Sequence, residues 1–147
     1  MTVMTESASQ SITTTASPER CFEVVMDFES YPEWASDVKE AVVLDRDADG
    51  RATEVEFRAS ALGRSTHYTL AYDYAEAPKA VSWNLVKGDI TRAIDGKYEF
   101  TPTSDGGTEV RYDLSVELVV PLPGFVKRRA EVRILNTIRE LQARAEA

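Results

Sequence analysis

The sequence predicts an α+β fold in which one curved antiparallel sheet is closed by a single long C-terminal helix. Between Val38 and Val120, apolar and polar residues alternate in segments that short polar turns separate. The Pro-Leu-Pro-Gly run at Pro121–Gly124 ends this pattern, and apolar residues at helical spacing follow it to Ala147. Because the apolar face of such a sheet needs a cover, we expect this helix to pack against it.

The N-terminal part predicts one strand and two short helices. We expect residues 1–6 to be flexible and residues 7–147 to form one domain. The Thr-rich segment Ser7–Ala16 is predicted as the first strand, because β-branched residues favour strands. The Ser-Pro-Glu run at Ser17–Glu19 combines an N-cap, a proline at the first helical position and an acid in the first turn, and it predicts a helix start. A second helical turn is expected at Pro32–Ala35.

Six further strands are predicted from residues that alternate with a period of two. Short polar turns such as Asp47–Gly50 and Ala77–Lys79 separate them, which is typical of an antiparallel meander with one buried face. With the first strand they make a sheet of seven. The six segments are Val38–Asp47, Thr53–Leu62, Ser65–Tyr74, Ala80–Val86, Ile90–Thr101 and Thr108–Val120.

Composition excludes several classes of function. The 147-residue chain has a net charge of −8 and a pI near 4.7, so it lacks the positive field that nucleic-acid binding requires. No apolar stretch is long enough to span a bilayer, and the N-terminus does not resemble a signal peptide. We therefore expect a cytoplasmic protein without stable membrane insertion. Its oligomeric state, monomer or dimer, stays open.

A short motif carries a family resemblance. The run Asp27–Trp34, which ends in Tyr-Pro-Glu-Trp, resembles a signature of the polyketide cyclase/dehydrase branch of the START-like (SRPBCC) superfamily, which includes coenzyme Q-binding proteins. Supporting matches lie at Val81–Trp83, Asp95–Tyr98, Thr108–Val110 and Pro121–Gly124. The resemblance implies a bacterial-type protein with a helix-grip fold, in which seven strands wrap around the terminal helix and leave a cavity. Because the superfamily includes carriers, cyclases, lyases and regulatory domains, it does not select an activity.

The predicted inner face of the sheet is rich in aromatic residues. Together they are expected to line the cavity, although plain core packing is the favoured explanation for any single one of them. Trp34, after the helix break, either lines the cavity mouth or packs the corner. The candidates are Trp34, Phe57, Tyr68, Leu70, Tyr72, Trp83, Tyr98, Phe100 and Tyr112, with Ile134 and Ile138 from the helix.

Residues for catalysis or metal binding are not recognisable. Cys21 and His67 are the single cysteine and histidine, so neither a zinc-type set nor a nucleophilic triad is available, and we expect no metal and no cofactor. By resemblance, cyclases of the wider family use a buried Arg with hydroxyl groups to polarise a carbonyl. Asn84, Arg92 and Arg129 are the secondary polar candidates for that role.

Three functions follow as hypotheses. The first is binding of a small apolar or aromatic ligand, such as a lipid, a quinone or a polyketide-like molecule, between sheet and helix. The second is a polyketide cyclase or dehydratase. The third is a stress-linked interaction module that uses either the edge of the sheet or the basic face of the last helix, where Arg128 and Arg139 lie.

Overall fold

The computed structural model describes the backbone of residues 3–61, 64–119 and 126–147, and the side chains of residues 7–60, 65–117 and 135–147. The strands are β1 (Val3–Thr14), β2 (Val38–Arg46), β3 (Ala52–Ala61), β4 (Arg64–Asp73), β5 (Ala80–Gly88), β6 (Thr91–Pro102) and β7 (Thr108–Val119). The helices are α1 (Pro18–Met26), α2 (Tyr31–Trp34) and α3 (Val126–Glu146), with a 3₁₀ turn at Phe28–Ser30.

One antiparallel sheet contains all seven strands, in the order β1-β7-β6-β5-β4-β3-β2. Strands β2 to β7 follow one another as hairpins, whereas β1 lies at the far edge beside β7. Strand β1 begins at Val3, four residues before the predicted Ser7, because Val3 pairs with Val119 and Glu6 with Val116. Residues 3–6, which the sequence placed in a flexible N-terminus, therefore belong to the sheet.

Helix α1 begins where its N-terminal signal predicts. Ser17 is the N-cap, and its Oγ accepts a hydrogen bond of 3.1 Å from the backbone N–H of Arg20. The side chains of Cys21, Val24 and Val25 are buried on one face of the helix, and they join the main core. The helix thus closes one end of the space beneath the sheet.

Helix α3 covers the concave face of the sheet. Ile138, Leu141 and Ala145 are buried in the core, as the helical spacing of these apolar residues predicts. The C-terminal end is anchored by Arg20, whose guanidinium donates to the carbonyl oxygens of Arg144 (3.3 Å) and Ala145 (3.4 Å). None of the described helices is long and apolar enough to cross a bilayer.

Candidate functional site

A continuous set of aromatic side chains lines the concave face of the sheet. We call it the aromatic wall. Its members lie on adjacent strands and face α3, because register pairs such as Phe57 with Tyr68 and Tyr72 with Trp83 point to the same side. Leu70 and Phe100 are buried beside the wall. The aromatic wall consists of Phe57, Tyr68, Tyr72, Trp83, Tyr98 and Tyr112.

Three rings form the centre of the aromatic wall. Tyr98 and Tyr112 are direct partners on β6 and β7, and their ring centroids lie 4.5 Å apart. The indole of Trp83 lies 5.3 Å from the ring of Tyr98 and 6.0 Å from that of Tyr112. Such tilted contacts are favourable geometries for aromatic pairs. They present ring faces and edges to anything that binds against them.

The end of the wall near α1 and α2 is filled by protein side chains. The ring of Phe28 lies 4.5 Å from Tyr72, and that of Tyr31 lies 5.9 Å from Phe57. The Tyr31 hydroxyl donates to the backbone oxygen of Val25 at 2.7 Å. Trp34 is half-buried and packs 4.9 Å from Tyr31. The structure therefore places Trp34 at the corner that the helices make with the sheet.

Three phenols of the wall, those of Tyr72, Tyr98 and Tyr112, keep their protons at physiological pH. Burial raises the pKa of Tyr72, Tyr98 and Tyr112, and neighbouring tyrosine hydroxyls raise it further. A phenol that keeps its proton can donate one hydrogen bond and can also accept one. The wall thus combines apolar ring surface with uncharged polar groups that can orient a ligand.

Gln10 is a polar residue of the concave face that our sequence analysis missed. It is half-buried on β1, directly opposite Tyr112, while its strand neighbours Ala8 and Ile12 pack against the core. Alternation places residues 8, 10 and 12 on one face of the strand. The period-two pattern of β1 would have identified Gln10, but that strand was predicted from Ile12 and its β-branched threonines without assigning the two faces.

The secondary polar candidates lie elsewhere. Asn84 is exposed on the outer face of the sheet, opposite Asp95. Arg92 is exposed at a register shift of β6, between Thr91 and Ala93. The structure brings neither of them to the aromatic wall. The side chains of Arg129 and Ile134 lie outside the described residues, whereas Ile138 is buried in the core.

A groove of about 810 Å³ lies across the outer face of the sheet. Its side-chain walls come from outward positions of five adjacent strands, including Ser7, Lys97 and Ser115. These three side chains have polar partners in the protein. The two serine hydroxyls are hydrogen-bonded at 3.1 Å, and Lys97 forms an ion pair of 3.0 Å with Glu76. Tyr72 and Trp83 of the aromatic wall also line this groove.

The residues that could act as nucleophiles or ligands are separated from the wall. Cys21 is buried on α1, and this burial raises the pKa of its thiol. His67 is exposed on the outer face, as alternation predicts. Among the described residues, no group of three or more His, Cys, Asp or Glu side chains could hold a metal ion.

Comparison with known proteins supports the same architecture. Residues 5–146 match a family model described as polyketide cyclase/dehydrase and lipid transport. A START superfamily protein from Mycobacterium smegmatis is similar in structure, with a TM-score of 0.87, 28% identity, and coverage of 95% of this chain and 97% of that chain. The Zhui aromatase/cyclase from Streptomyces sp. R1128 is similar with a TM-score of 0.72, 13% identity, and coverage of 97% and 94%. No curated protein matches the chain.

Proposed function

The chain belongs to the polyketide cyclase/dehydrase and lipid transport family and has the START-like helix-grip fold, and from this premise we propose that it binds a small, uncharged aromatic ligand between the sheet and α3. Quinones, polyketide-like ring systems and lipids with aromatic groups are the candidate classes. We further propose that it does so as a bacterial-type, cytoplasmic protein.

The observation that carries this proposal is the aromatic wall. Trp83, Tyr98 and Tyr112 are in mutual contact and turn their rings toward α3. Ligand sites of this kind are mostly apolar, with a few polar groups that fix the orientation of the ligand. The neutral phenols of Tyr98 and Tyr112 supply such groups. Flat ring systems would gain stacking contacts as well as burial of apolar surface.

A second candidate is a cyclase or dehydratase that acts on a polyketide-like substrate. The pair Tyr98–Tyr112 favours it, because two protonated hydroxyls near one another can donate hydrogen bonds to a substrate carbonyl. Such donors stabilise negative charge as it develops on that oxygen. The structural similarity to the aromatase/cyclase supports only the shared fold, and its activity is a hypothesis for this chain.

Displacement of a bound dye tests the proposal. N-phenyl-1-naphthylamine, a neutral aromatic dye, is titrated into the protein and then competed with naphthoquinones, polycyclic phenols and lipids. We expect saturable binding that Tyr98→Leu weakens, because one ring of the wall is lost. His67→Ala, on the outer face, is the matched control and should bind as the native protein does. Failure of every panel member to bind, in a folded protein, would contradict the proposal.

A further inference from the structure

Gln10 lies on the concave face but differs from its neighbours in chemistry. On β1 it is flanked by the core-packing residues Ala8 and Ile12, and its direct partner on β7 is Tyr112. Side chains of directly opposed residues have Cβ atoms about 4.5–5.5 Å apart. The Gln10 amide therefore lies within reach of the Tyr112 ring and of a ligand bound against it.

Helix α3 passes over the same strand. The Gln142 side chain donates to the backbone oxygen of Thr13 at 3.2 Å, and the Thr14 hydroxyl donates to Glu146 at 2.5 Å. These two contacts hold β1 beneath the C-terminal half of α3. Gln10, further along the same face, thus lies beside Tyr112 at the β1 edge of the aromatic wall, on the face of the sheet that α3 covers.

The amide of Gln10 forms no side-chain hydrogen bond with another residue in the described part of the chain. Because Gln10 is half-buried and its amide is not among the buried side-chain atoms that lack a partner, the amide stays within reach of solvent and is available to hydrogen-bond to a ligand. An apolar residue at position 10 would continue the pattern of Ala8 and Ile12. The Gln10 amide is thus a polar group on an otherwise apolar stretch of β1, next to the ring of Tyr112, where it can hydrogen-bond to a polar group on a ligand.

From this we infer that Gln10 is a specificity-determining residue, which with Tyr112 binds a neutral oxygen, carbonyl or hydroxyl, on the aromatic ligand. The inference rests on the proposed function and narrows its ligand class to oxygenated rings. The amide offers two N–H donors and one acceptor, and the protonated phenol offers one of each. Together they can bind a ketone, a quinone or a phenol.

A matched pair of probes tests the inference, because 1-naphthol and naphthalene differ by one hydroxyl group. Affinities are measured by quenching of tryptophan fluorescence for the native protein and for Gln10→Leu, which has a similar volume but no polar atom. We expect Gln10→Leu to weaken 1-naphthol binding about threefold to tenfold, the range for one neutral hydrogen bond. Naphthalene binding should stay unchanged or improve.

Ser9→Ala is the control, since Ser9 is the preceding residue on β1 and faces outward, where it bonds to Asp113. It should change neither affinity. Urea unfolding of Gln10→Leu should show equal or greater stability, and Gln10→Met serves as a second variant if Leu impairs folding. If Gln10→Leu binds both probes as the native protein does, the inference is wrong and ligand binding stands. If the native protein binds neither these probes nor the wider dye panel, the proposed function itself is contradicted.

Discussion

The indole ring of Trp83 lies directly against the Cα of Gly96 on the neighbouring strand. The two residues are register partners of β5 and β6, and a Cβ added to Gly96 would lie 2.2 Å from Cε2 of Trp83. Non-bonded carbon atoms approach to only about 3.5 Å. The missing side chain at Gly96 thus gives the indole its place at the centre of the aromatic wall, in contact with Tyr98 and Tyr112.

Gly96→Ala should displace Trp83 from the wall. Overpacking of this kind costs about 1–3 kcal/mol, so the midpoint of urea unfolding should fall. The near-UV circular dichroism and emission maximum of tryptophan should change as well. Ser82→Ala, at an outward position of the strand that carries Trp83, is the control and should leave both unchanged. A Gly96→Ala protein with native stability and native tryptophan signals would contradict the close packing seen here.

Alkaline pH should lower the stability of the protein, because its buried tyrosine phenols resist ionisation. Burial raises the pKa of Tyr31, Tyr72 and Tyr98 above that of an unfolded tyrosine, which is about 10. The unfolded chain therefore loses phenolic protons first, and the contribution of the phenols to the free energy of unfolding should be constant below about pH 10 and fall above it. Absorbance at 295 nm should show these phenolates appearing together with loss of the folded circular dichroism signal. Early, reversible ionisation of all six tyrosines in the folded protein would disagree with this expectation.

Arg20 should stabilise the end of α3. It donates to the carbonyl oxygens of Arg144 and Ala145 in the last turn, where the Arg144 oxygen also accepts from the backbone N–H of Ala147 (3.4 Å), and its positive charge is favourable at a helix C-terminus. Arg20→Met keeps the aliphatic stem and should cost about 1 kcal/mol in chemical unfolding. Glu23→Gln removes only the exposed ion pair to Arg20 and should change stability by less than about 0.5 kcal/mol. If Arg20→Met and Glu23→Gln change stability by the same amount, Arg20 does not cap the helix.

Asp89 should make the β5–β6 hairpin sensitive to acid. Burial alone would raise the pKa of this carboxyl, but hydrogen bonds from the Thr66 hydroxyl and from the backbone N–H groups of His67 (3.0 Å) and Ile90 (2.7 Å) outweigh it and lower the pKa. Its stabilising contribution is thus present above the unfolded pKa of about 3.9 and is lost as the pH falls through the lower folded value.

Asp89→Asn should lower stability at neutral pH and flatten its dependence on pH below about 4. Thr66→Val removes one donor, so the pKa of Asp89 followed by NMR titration should rise toward its ordinary value. An unshifted carboxyl titration in the Thr66→Val protein would show that the backbone N–H groups alone hold the carboxylate.

Local patterns predicted most of the fold. The N-cap at Ser17 and the alternation in β7 depend only on residues close together in the chain. The bounds of α1 and β7 therefore agree with prediction to within a few positions. The start of β1 was wrong because Val3–Glu6 has no strand pattern of its own and pairs only through β7. The position of β1 beside β7 depends on residues far apart in the chain, and no local pattern indicates it.

The site was predicted less completely than the fold. Alternation correctly placed Tyr98 and Tyr112 on one face, because regular strands keep a period of two. Arg92 lies at a register shift of β6, which sequence patterns do not reveal. Asn84 was chosen for its chemistry although its strand position points outward, whereas Gln10 was overlooked although its position points inward.

The pairing of β1 with β7 has a consequence for synthesis of the protein in the cell. The first strand leaves the ribosome while its only neighbour in the sheet, at the other end of the domain, has yet to be made. At normal rates of translation this interval is on the order of ten seconds. During this interval β1 has no neighbouring strand, so its unpaired backbone N–H and C=O groups can pair with another chain and cause aggregation. Chaperones that shield nascent strands should therefore raise the yield of native protein more than they do for domains whose strands pair in sequence order.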